Sequence, residues 1–275
     1  MRHKFGKTIV IALGGSIIYP HTKTGNNSGK HFGVGVNPEA INIAFLKSFR
    51  KFILNRLRNG SRFIIVVGGG RIARIYQDAA HKVYKISDED KDWLGIHSTR
   101  ANAHLLRTIF KDVAAPVIID SRAKMKSLSA FGGKYPVTIA SGWRPGWSTD
   151  YISIAIAERF KVKEVVIAGK PAHVYPVRSR ARAQARPAGA YGRATSNGVD
   201  DKDLDKEHPL LELSWKEYRK LIPAKWKPGL HSPVDPVGAR LAEKKGIAAL
   251  IVDGKDLKNF EKMLSGKEFK GSIIN

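Results

Sequence analysis

Short apolar runs rich in β-branched residues alternate along the chain with longer stretches in which apolar residues recur at helical spacing. The short runs have the length and composition of strands that are buried on both faces. They lie at residues 8–13, 63–67, 116–120, 137–140, 164–168 and 247–252. This alternation predicts an α/β fold in which a largely parallel sheet is layered between helices as an αβα sandwich.

Capping signals locate the helices between these strands. Asn37 followed by Pro38 predicts the start of an amphipathic helix, and Asn59-Gly60 predicts its end. The sequence predicts further helices from residue 71 and at 92–110, 148–160, 214–221, 236–245 and 256–264, and a last strand at 272–274.

Three glycine-centred turns each follow an apolar run: Leu13-Gly14-Gly15-Ser16, Val67-Gly68-Gly69-Gly70-Arg71 and Ser141-Gly142-Trp143-Arg144-Pro145-Gly146. Glycine lets backbone N–H groups converge on an anion without a Cβ in the way, and a following helix N-terminus adds partial positive charge. Several such turns along one sheet edge predict a site for more than one phosphate group. The second turn also satisfies the loose dinucleotide fingerprint, but a dinucleotide fold leaves the other two turns unexplained.

The composition narrows the class of protein. The 275 residues suit one large α/β domain or two small ones, and 43% apolar residues is more than a disordered chain carries. The chain has no cysteine, which excludes disulfides, thiolate metal sites and a thiol nucleophile. The first apolar run is short and ends at Gly14-Gly15, so we expect a strand rather than a signal peptide or membrane anchor.

The charge raises nucleic acid as a partner, because 48 Lys and Arg against 24 Asp and Glu give a formal net charge of +24. The basic residues are spread over the whole chain, however, and no RNP motif, zinc-finger spacing or helix-turn-helix pattern is present. A nucleic-acid role is therefore not expected. The histidines show no ligand spacing, so we expect no protein-ligated transition metal.

One stretch interrupts the alternation of strands and helices. Residues 176–199 carry five arginines and no acid among mostly Ala, Gly, Ser and Pro. Such a segment lacks the apolar content to form a core of its own, and a long loop closes at a small cost in entropy. We expect an insertion that is mobile and dispensable.

The turns and the motifs around them resemble the amino acid kinase family and, within it, the archaeal-type UMP kinases. The turn from Gly68 to Arg74 is more similar to UMP kinases than to glutamate, aspartate, carbamate or isopentenyl phosphate kinases. The other motifs of the resemblance are the first turn, Asp92-Trp93-Leu94-Gly95-Ile96, Thr99-Arg100-Ala101-Asn102-Ala103, Pro145-Gly146-Trp147-Ser148-Thr149-Asp150, Asp235-Pro236 and Gly271-Ser272-Ile273-Ile274.

The resemblance implies a kinase that converts ATP and UMP to ADP and UDP, with Mg²⁺ bound to the ATP. It implies a single domain over residues 1–275, in which the N-terminal half to about residue 160 binds UMP and the half from about residue 161 binds ATP. A homo-oligomer is also implied, which in the family is a hexamer. The alternatives are a related kinase with another phosphate or carboxylate acceptor, and a degenerate protein that binds nucleotide without turnover.

The same resemblance implies the site residues. The ATP-binding set is Gly14, Gly15, Ser16, Gly70, Arg74, Lys170, Tyr175 and Asp203. The UMP-binding set is Gly69, Asp92, Trp143, Arg144, Pro145, Gly146, Trp147, Ser148 and Thr149. The expected catalytic residues are Arg74 and Asp150. The guanidinium of Arg74 follows Gly70 by one helical turn and can reach the same anion, and Asp150 would orient cationic groups rather than act as a base.

Alternatives stay open for four of these residues. Asp92 can bind the ribose hydroxyls of UMP or cap the long helix, and Arg74 can be an ordinary exposed helix residue. Trp143 and Trp147 stand where the relatives usually have small or polar residues, and they can stack on uracil or pack at a subunit contact.

Two departures from the family pattern affect the ATP side. Ala12 stands where many kinases of the superfamily have lysine, so the catalytic cation is left among Arg74, Lys7, Lys170 and Mg²⁺. The adenosine-binding stretch is interrupted by the arginine-rich insertion, so either Tyr175 or the region of Asp200 contacts adenine.

Overall fold

A seven-stranded sheet organises the part of the chain that the computed structural model describes, which is residues 1–20, 41–127, 134–169, 171–176, 205, 208–226 and 232–275. The strands are β1 Thr8–Leu13, β2 Arg62–Val67, β3 Val137–Ala140, β4 Glu164–Gly169, β5 Glu212–Leu213, β6 Ala248–Asp253 and β7 Ser272–Ile274. Their spatial order is β3-β2-β1-β4-β6-β7-β5. Every neighbouring pair is parallel except β6 with β7, which confirms the predicted α/β fold with a largely parallel sheet.

The helices of the same ranges are α1 Gly15–Ile18, α2 Ile43–Arg58, α3 Gly70–Val83, α4 Asp88–Ile109, α5 Arg122–Ser127, α6 Thr149–Arg159, α7 Trp215–Leu221, α8 Pro236–Lys245 and α9 Leu257–Leu264. Capping side chains explain where several of them begin. The Asn42 side chain accepts the N–H of Phe45 at 3.0 Å at the start of α2, and the Ser148 hydroxyl accepts the N–H of Tyr151 at 3.0 Å at the start of α6. Local sequence therefore fixes these helix starts.

The hydrophobic core forms two layers, one on each face of the sheet. In β1, Ile9 and Ile11 belong to one layer, whereas Val10 and Ala12 belong to the other, because successive side chains of a strand point to opposite faces. Side chains of α2, α4 and α9 complete the first layer, and those of α6, α7 and α8 complete the second. β1 pairs with β2 and with β4 as far as Leu13, so the first glycine turn begins where this pairing ends.

The long helix α4 begins earlier than the sequence predicts. The Ser87 hydroxyl accepts the N–H of Asp90 at 3.1 Å, and the Asp90 carboxylate accepts the N–H of Ser87 at 3.1 Å, which forms a capping box. Asp92 therefore lies inside the helix. The alternative that Asp92 caps the helix is wrong, because Ser87 already occupies that position.

The predicted strand at 116–120 is also wrong. Ala114 and Ile119 make only isolated bridges, to Val137 and to Ala140 of β3. Pro116 has no N–H with which to continue a ladder of hydrogen bonds, so the segment follows the sheet edge without joining it as a strand.

Three elements were missed, and one helix starts later than predicted. The missed elements are α1, α5 and β5, with four, six and two residues, which are too short for a periodicity to be visible. The predicted helix start at Asn37 and Pro38 lies outside the described residues, as does most of the arginine-rich insertion. Ile41 and Asn42 are not helical, so α2 is described only from Ile43.

We expect Ser87→Ala to lower the free energy of unfolding by about 1 kcal/mol, because it removes the side-chain half of the capping box. Asp92→Asn should change the stability much less, since Asp92 caps nothing and the asparagine oxygen can still accept the N–H of Gly146. Urea unfolding followed by circular dichroism measures both changes. An equal loss in the two variants would contradict the assignment of the cap to Ser87.

Candidate active site

The first two glycine turns lie against each other, backbone to backbone. A Cβ added at Gly15 would overlap the carbonyl group of Gly68, and one added at Gly70 would overlap the backbone of Gly15. Gly70 also has a φ of +64°, in the left-handed region that disfavours other residues. The turns after β1 and β2 therefore form one surface of exposed backbone at the carboxyl edge of the sheet, where a polyanion can approach main-chain N–H groups.

Side chains of α4 hold the second and third turns in place. The Asn102 amide donates to the carbonyl oxygen of Gly68 at 2.8 Å and to that of Gly69 at 3.4 Å. The Thr99 hydroxyl accepts the N–H of Gly142 at 2.7 Å and donates to the carbonyl oxygen of Ile96 at 2.7 Å. These contacts give the Thr-x-x-Asn motif of α4 a physical role, because one helix face fixes both turns.

Asp92 connects α4 to the third turn. Its Oδ2 accepts the N–H of Gly146 at 2.7 Å and faces the indole N–H of Trp226 at 3.5 Å. The residue is half-buried, and loss of water raises the pKa of its carboxyl group, although the Gly146 and Trp226 hydrogen bonds oppose that rise. Within the described residues both donors point to Oδ2, so Oδ1 is left for a further donor.

The two tryptophans of the third turn have different environments. Trp143 is only 5% exposed, belongs to the core layer on the α6 side, and donates from its indole N–H to the carbonyl oxygen of Ile119 at 3.1 Å. Its ring therefore neither stacks on a ligand nor packs at a subunit contact, and both interpretations of that side chain are wrong. Trp147 is partly exposed, with its ring 4.9 Å from that of Tyr151.

Two carboxylates lie close to the N-terminus of α6. Asp235 caps α8 by accepting the N–H groups of Val237 at 2.7 Å and Gly238 at 3.0 Å, and its other oxygen accepts the hydroxyl of Ser148. Asp235 is 2% exposed. Burial raises the pKa of its carboxyl group, and the hydrogen bond from Ser148 and the backbone hydrogen bonds oppose that rise.

The second carboxylate is Asp150, in the first turn of α6. The residue as a whole is half-buried, but its carboxyl group lies deep among protein atoms, which raises its pKa well above the ordinary value, and the charge of Asp235 adds to the effect. No described residue donates a hydrogen bond to this carboxyl group or forms an ion pair with it. An acid in such a position is poised for a cationic partner supplied by a ligand.

Sequence reasoning noted the Asp235-Pro236 motif but did not count Asp235 as a site residue. The signal was available, because an aspartate before a proline at the first helical position is a strong N-cap pattern. Asp235 comes close to Asp150 because α8 packs against α6. Local sequence does not reveal that packing. The Tyr218 hydroxyl, bonded at 2.7 Å to both the N–H and the carbonyl of Val234, positions the residue before Asp235.

The residues expected on the ATP side are only partly described. Arg74 is half-buried in the first turns of α3, and burial lowers the pKa of its guanidinium, an effect that the charge of Asp78 opposes. The Tyr175 hydroxyl lies 3.5 Å from Nδ1 of His173. Lys170, Asp203 and the alternative adenine region at Asp200 lie outside the described residues.

The class of protein follows from a sequence model of the amino acid kinase family, which matches residues 7–187. The chain belongs to the amino acid kinase family, as its resemblance indicated. Its relatives include uridylate kinases from Methanocorpusculum labreanum, 26% identical over 97% of this chain and 94% of the relative, and from Hyperthermus butylicus, 29% identical over 90% and 95%.

Solved structures support the same fold. The crystal structure of uridylate kinase from Archaeoglobus fulgidus superposes with a TM-score of 0.67 at 23% identity, covering 98% of this chain and all 100% of that one. UMP kinase from Bacillus anthracis gives a TM-score of 0.64 at 16% identity over 98% and 96% of the two chains.

No helix within the described ranges is both long and apolar enough to cross a membrane.

We expect Asp150→Asn to stabilise the ligand-free protein increasingly as the pH rises. The folded-state pKa of Asp150 lies above its unfolded value, so the wild type has no ionisation cost below the unfolded pKa of about 4, and above that it loses stability until the pH passes the folded pKa. Asparagine cannot ionise. The difference in Tm between variant and wild type should be near zero at pH 4 and positive at pH 8, by about 2–4 °C for each kcal/mol relieved.

Asp112→Asn is the matched control, because Asp112 is an exposed aspartate paired with Arg50 at 2.7 Å. Its Tm difference should not become positive at high pH. Differential scanning fluorimetry across the pH range, without nucleotide or metal, measures both variants. A Tm difference for Asp150→Asn that stays constant between pH 4 and pH 8 would contradict the raised pKa.

Proposed function

We propose that this protein is a UMP kinase, which transfers the γ-phosphoryl group of ATP to UMP and releases UDP and ADP. The observation that carries the proposal is the single face of α4, from which three side chains reach two loops. Asp92 and Thr99 bond to the loop at residues 142–149, here called the acceptor loop, and Asn102 bonds to the turn at residues 68–70, here called the phosphate turn. Relatives called uridylate kinase, which this chain matches over nearly their whole length, support the choice of acceptor.

The proposed mechanism rests on positioning and charge. Transfer between two nucleotides requires two polyanions to be aligned in line, so the protein's main task is to hold phosphates and neutralise charge. The surface formed by Gly14, Gly15, Ser16 and Gly70 would bind the transferring phosphates through main-chain N–H groups. Arg74 would stabilise the charge that develops during transfer.

Asp150 would orient cationic groups at the reaction centre. A phosphate oxygen of UMP is already ionised at pH 7, so the acceptor needs no general base. The carboxyl group of Asp150 has no donor among the described residues and a raised pKa, and both features are relieved when a cation arrives with the substrates.

The acceptor would lie along α4. A Cβ added at Gly69 would lie only 3.2 Å from the carbonyl oxygen of Gly95 and 3.3 Å from the Cβ of Ser98, both in α4. Gly69 would face the UMP phosphate. Asp92 lies one helical turn before Gly95, and its Oδ1, which accepts no hydrogen bond from the described residues, would accept a ribose hydroxyl. The loop that ends with Ser148 and Thr149 would enclose the nucleotide from the other side.

Mg²⁺ fits this site as a companion of ATP rather than as a resident ion. Magnesium is held by one or two carboxylates together with substrate phosphates, and it keeps several waters. Asp150, which lacks a partner, is suited to it, and Asp235 lies close by; in the described part of the chain no group of three or more potential ligands is present. When bound, the ion would neutralise phosphate charge.

The remaining parts of the proposal concern the whole protein. Residues up to about 160 would bind UMP and those from about 161 would bind ATP, with Tyr175 near adenine. A homo-oligomer, a hexamer as in the family, and a cytoplasmic location complete the proposal, and the absence of cysteine is compatible with a reducing compartment.

An assay of ADP release over a panel of acceptors tests the proposal. With ATP and Mg²⁺, we expect UMP to give the highest kcat/KM among UMP, CMP, dTMP, isopentenyl phosphate and acetylglutamate. A chain that phosphorylates isopentenyl phosphate or acetylglutamate at least as well as UMP is a kinase with another acceptor. Nucleotide binding without turnover on any acceptor would identify a degenerate binding protein.

Arg74 and Asp92 should differ in their kinetic effects. Arg74→Ala should lower kcat by about 10²-fold or more, because it removes a charge-stabilising group. Asp92→Asn should mainly raise the KM for UMP, because it weakens an interaction present before and during transfer. Arg159→Ala, an exposed arginine at the end of α6, is the control and should match the wild type. Wild-type kinetics in all three variants would mean that the site is wrongly placed.

A further inference from the structure

Trp147 is the centre of a cationic cluster that neither the glycine turns nor the two carboxylates explain. The guanidinium carbon of Arg122 lies over its ring, 4.8 Å from the ring centroid, and that of Arg144 lies over it at the same distance. A guanidinium over an indole face is attracted by the π-electrons of the ring. Both arginines are therefore held by the aromatic surface rather than by an ion pair.

Arg122 reaches this cluster from α5, the short helix that the sequence did not reveal. The segment before α5 is attached to the sheet edge by the bridge between Ile119 and Ala140, and Met125 of α5 packs against the second core layer. A hydrogen bond of 3.5 Å from the guanidinium of Arg122 to the Tyr151 hydroxyl adds a link to α6. The tertiary fold thus brings Arg122 to the acceptor loop although it is 25 residues from Trp147 in sequence.

Apart from the N–H of Arg122 that is directed to the Tyr151 hydroxyl, the donors of both arginines have no partner among the described residues. Among the described residues neither arginine forms an ion pair: Asp120 pairs with Lys124 at 2.8 Å, Asp92 accepts from Gly146, and Asp150, three residues after Trp147, is paired with neither arginine. A cation–π contact consumes none of the N–H donors of a guanidinium. A guanidinium carries five N–H donors and no acceptor.

The order of contacts indicates what these donors meet. The phosphate turn touches α4 at Gly95, Asp92 lies one helical turn earlier, and Asp92 holds Gly146, the neighbour of Trp147. A nucleoside monophosphate has the same order of phosphate, ribose and base. Trp147 follows Gly146 in the chain, so the arginine cluster adjoins the residue that Asp92 holds, and the base attached to a ribose at Asp92 would come within its reach.

We infer that Trp147 holds Arg122 and Arg144 as a donor-only edge that binds the carbonyl oxygen at position 4 of the acceptor base and so selects uracil over cytosine. Uracil presents a carbonyl oxygen at position 4, whereas cytosine presents an amino group there, which a guanidinium cannot bind. A site built to hydrogen-bond one group rejects the analogue that lacks it. This inference rests on the proposed function.

The test compares UMP and CMP as acceptors. Arg122→Met and Arg144→Met should each lower kcat/KM for UMP by about tenfold or more, as expected for loss of a charged hydrogen bond, and should leave kcat/KM for CMP nearly unchanged. Lys124→Met is the matched control, because it removes the same charge two residues further along α5. The ratio of UMP to CMP activity should fall in the two arginine variants and stay constant in the control.

Trp147 is a positioning residue in this scheme, and its variants separate stacking from bulk packing. Trp147→Leu should reduce the UMP to CMP ratio, mainly through KM for UMP, whereas Trp147→Tyr keeps an aromatic face and should restore most of it. Arg122→Lys keeps the charge but loses the planar fork, so it should resemble Arg122→Met. Thermal melts show whether each variant is folded. If Trp147→Leu or Arg122→Met does not fold, Trp147→Tyr or Arg122→Lys is used in its place.

Two outcomes would overturn the inference while the proposed function stands. Equal losses for UMP and CMP would mean that the arginines bind the phosphate or the O2 atom that both bases share, or act through long-range charge, and wild-type activity with both acceptors would mean that they do not meet the nucleotide. If the wild type does not phosphorylate UMP at all, the proposed function fails. Binding of UMP and CMP, followed by tryptophan fluorescence, then decides whether the arginines discriminate between the bases.

Discussion

The close approach of two glycine turns is the constraint on which the site depends. Gly15 and Gly70 lie so close that a Cβ on either would overlap the backbone of the other turn, so no other residue fits without moving a strand end. β1 and β2 pair in parallel up to Leu13 and Val67, which brings the two turns to the same edge. The surface proposed to bind phosphate is therefore a product of sheet register rather than of either turn alone.

The second organising element is α4, which converts this backbone surface into a site with an acceptor side. Thr99 and Asn102 satisfy backbone groups of the turns, and Asp92 extends the same face to Gly146. Buried main-chain groups need partners, and here side chains supply them. The loop proposed to enclose the acceptor is thus held by the protein's own side chains, which would lower the entropic cost of closing it on a nucleotide.

Electrostatics divide the site into two parts. Asp150 and Asp235 form an acidic centre with raised pKa values, whereas Arg122 and Arg144 form a cationic edge stacked on Trp147. Burial of like charges costs stability in the ligand-free protein, and a cation arriving with ATP would relieve it. An excess of positive charge over the whole chain favours the approach of anionic substrates.

The sequence by itself determined the alternation of strands and helices, the three glycine turns and most helix ends, because periodicity and capping are local properties. Only the tertiary structure decided that the Trp143 ring lies in the core and that Asp235 and Arg122 join the candidate site. These depend on the packing of segments far apart in the chain, such as α5 against α6 and α6 against α8. No local pattern encodes such contacts, since their free energy comes from surfaces that meet only after folding.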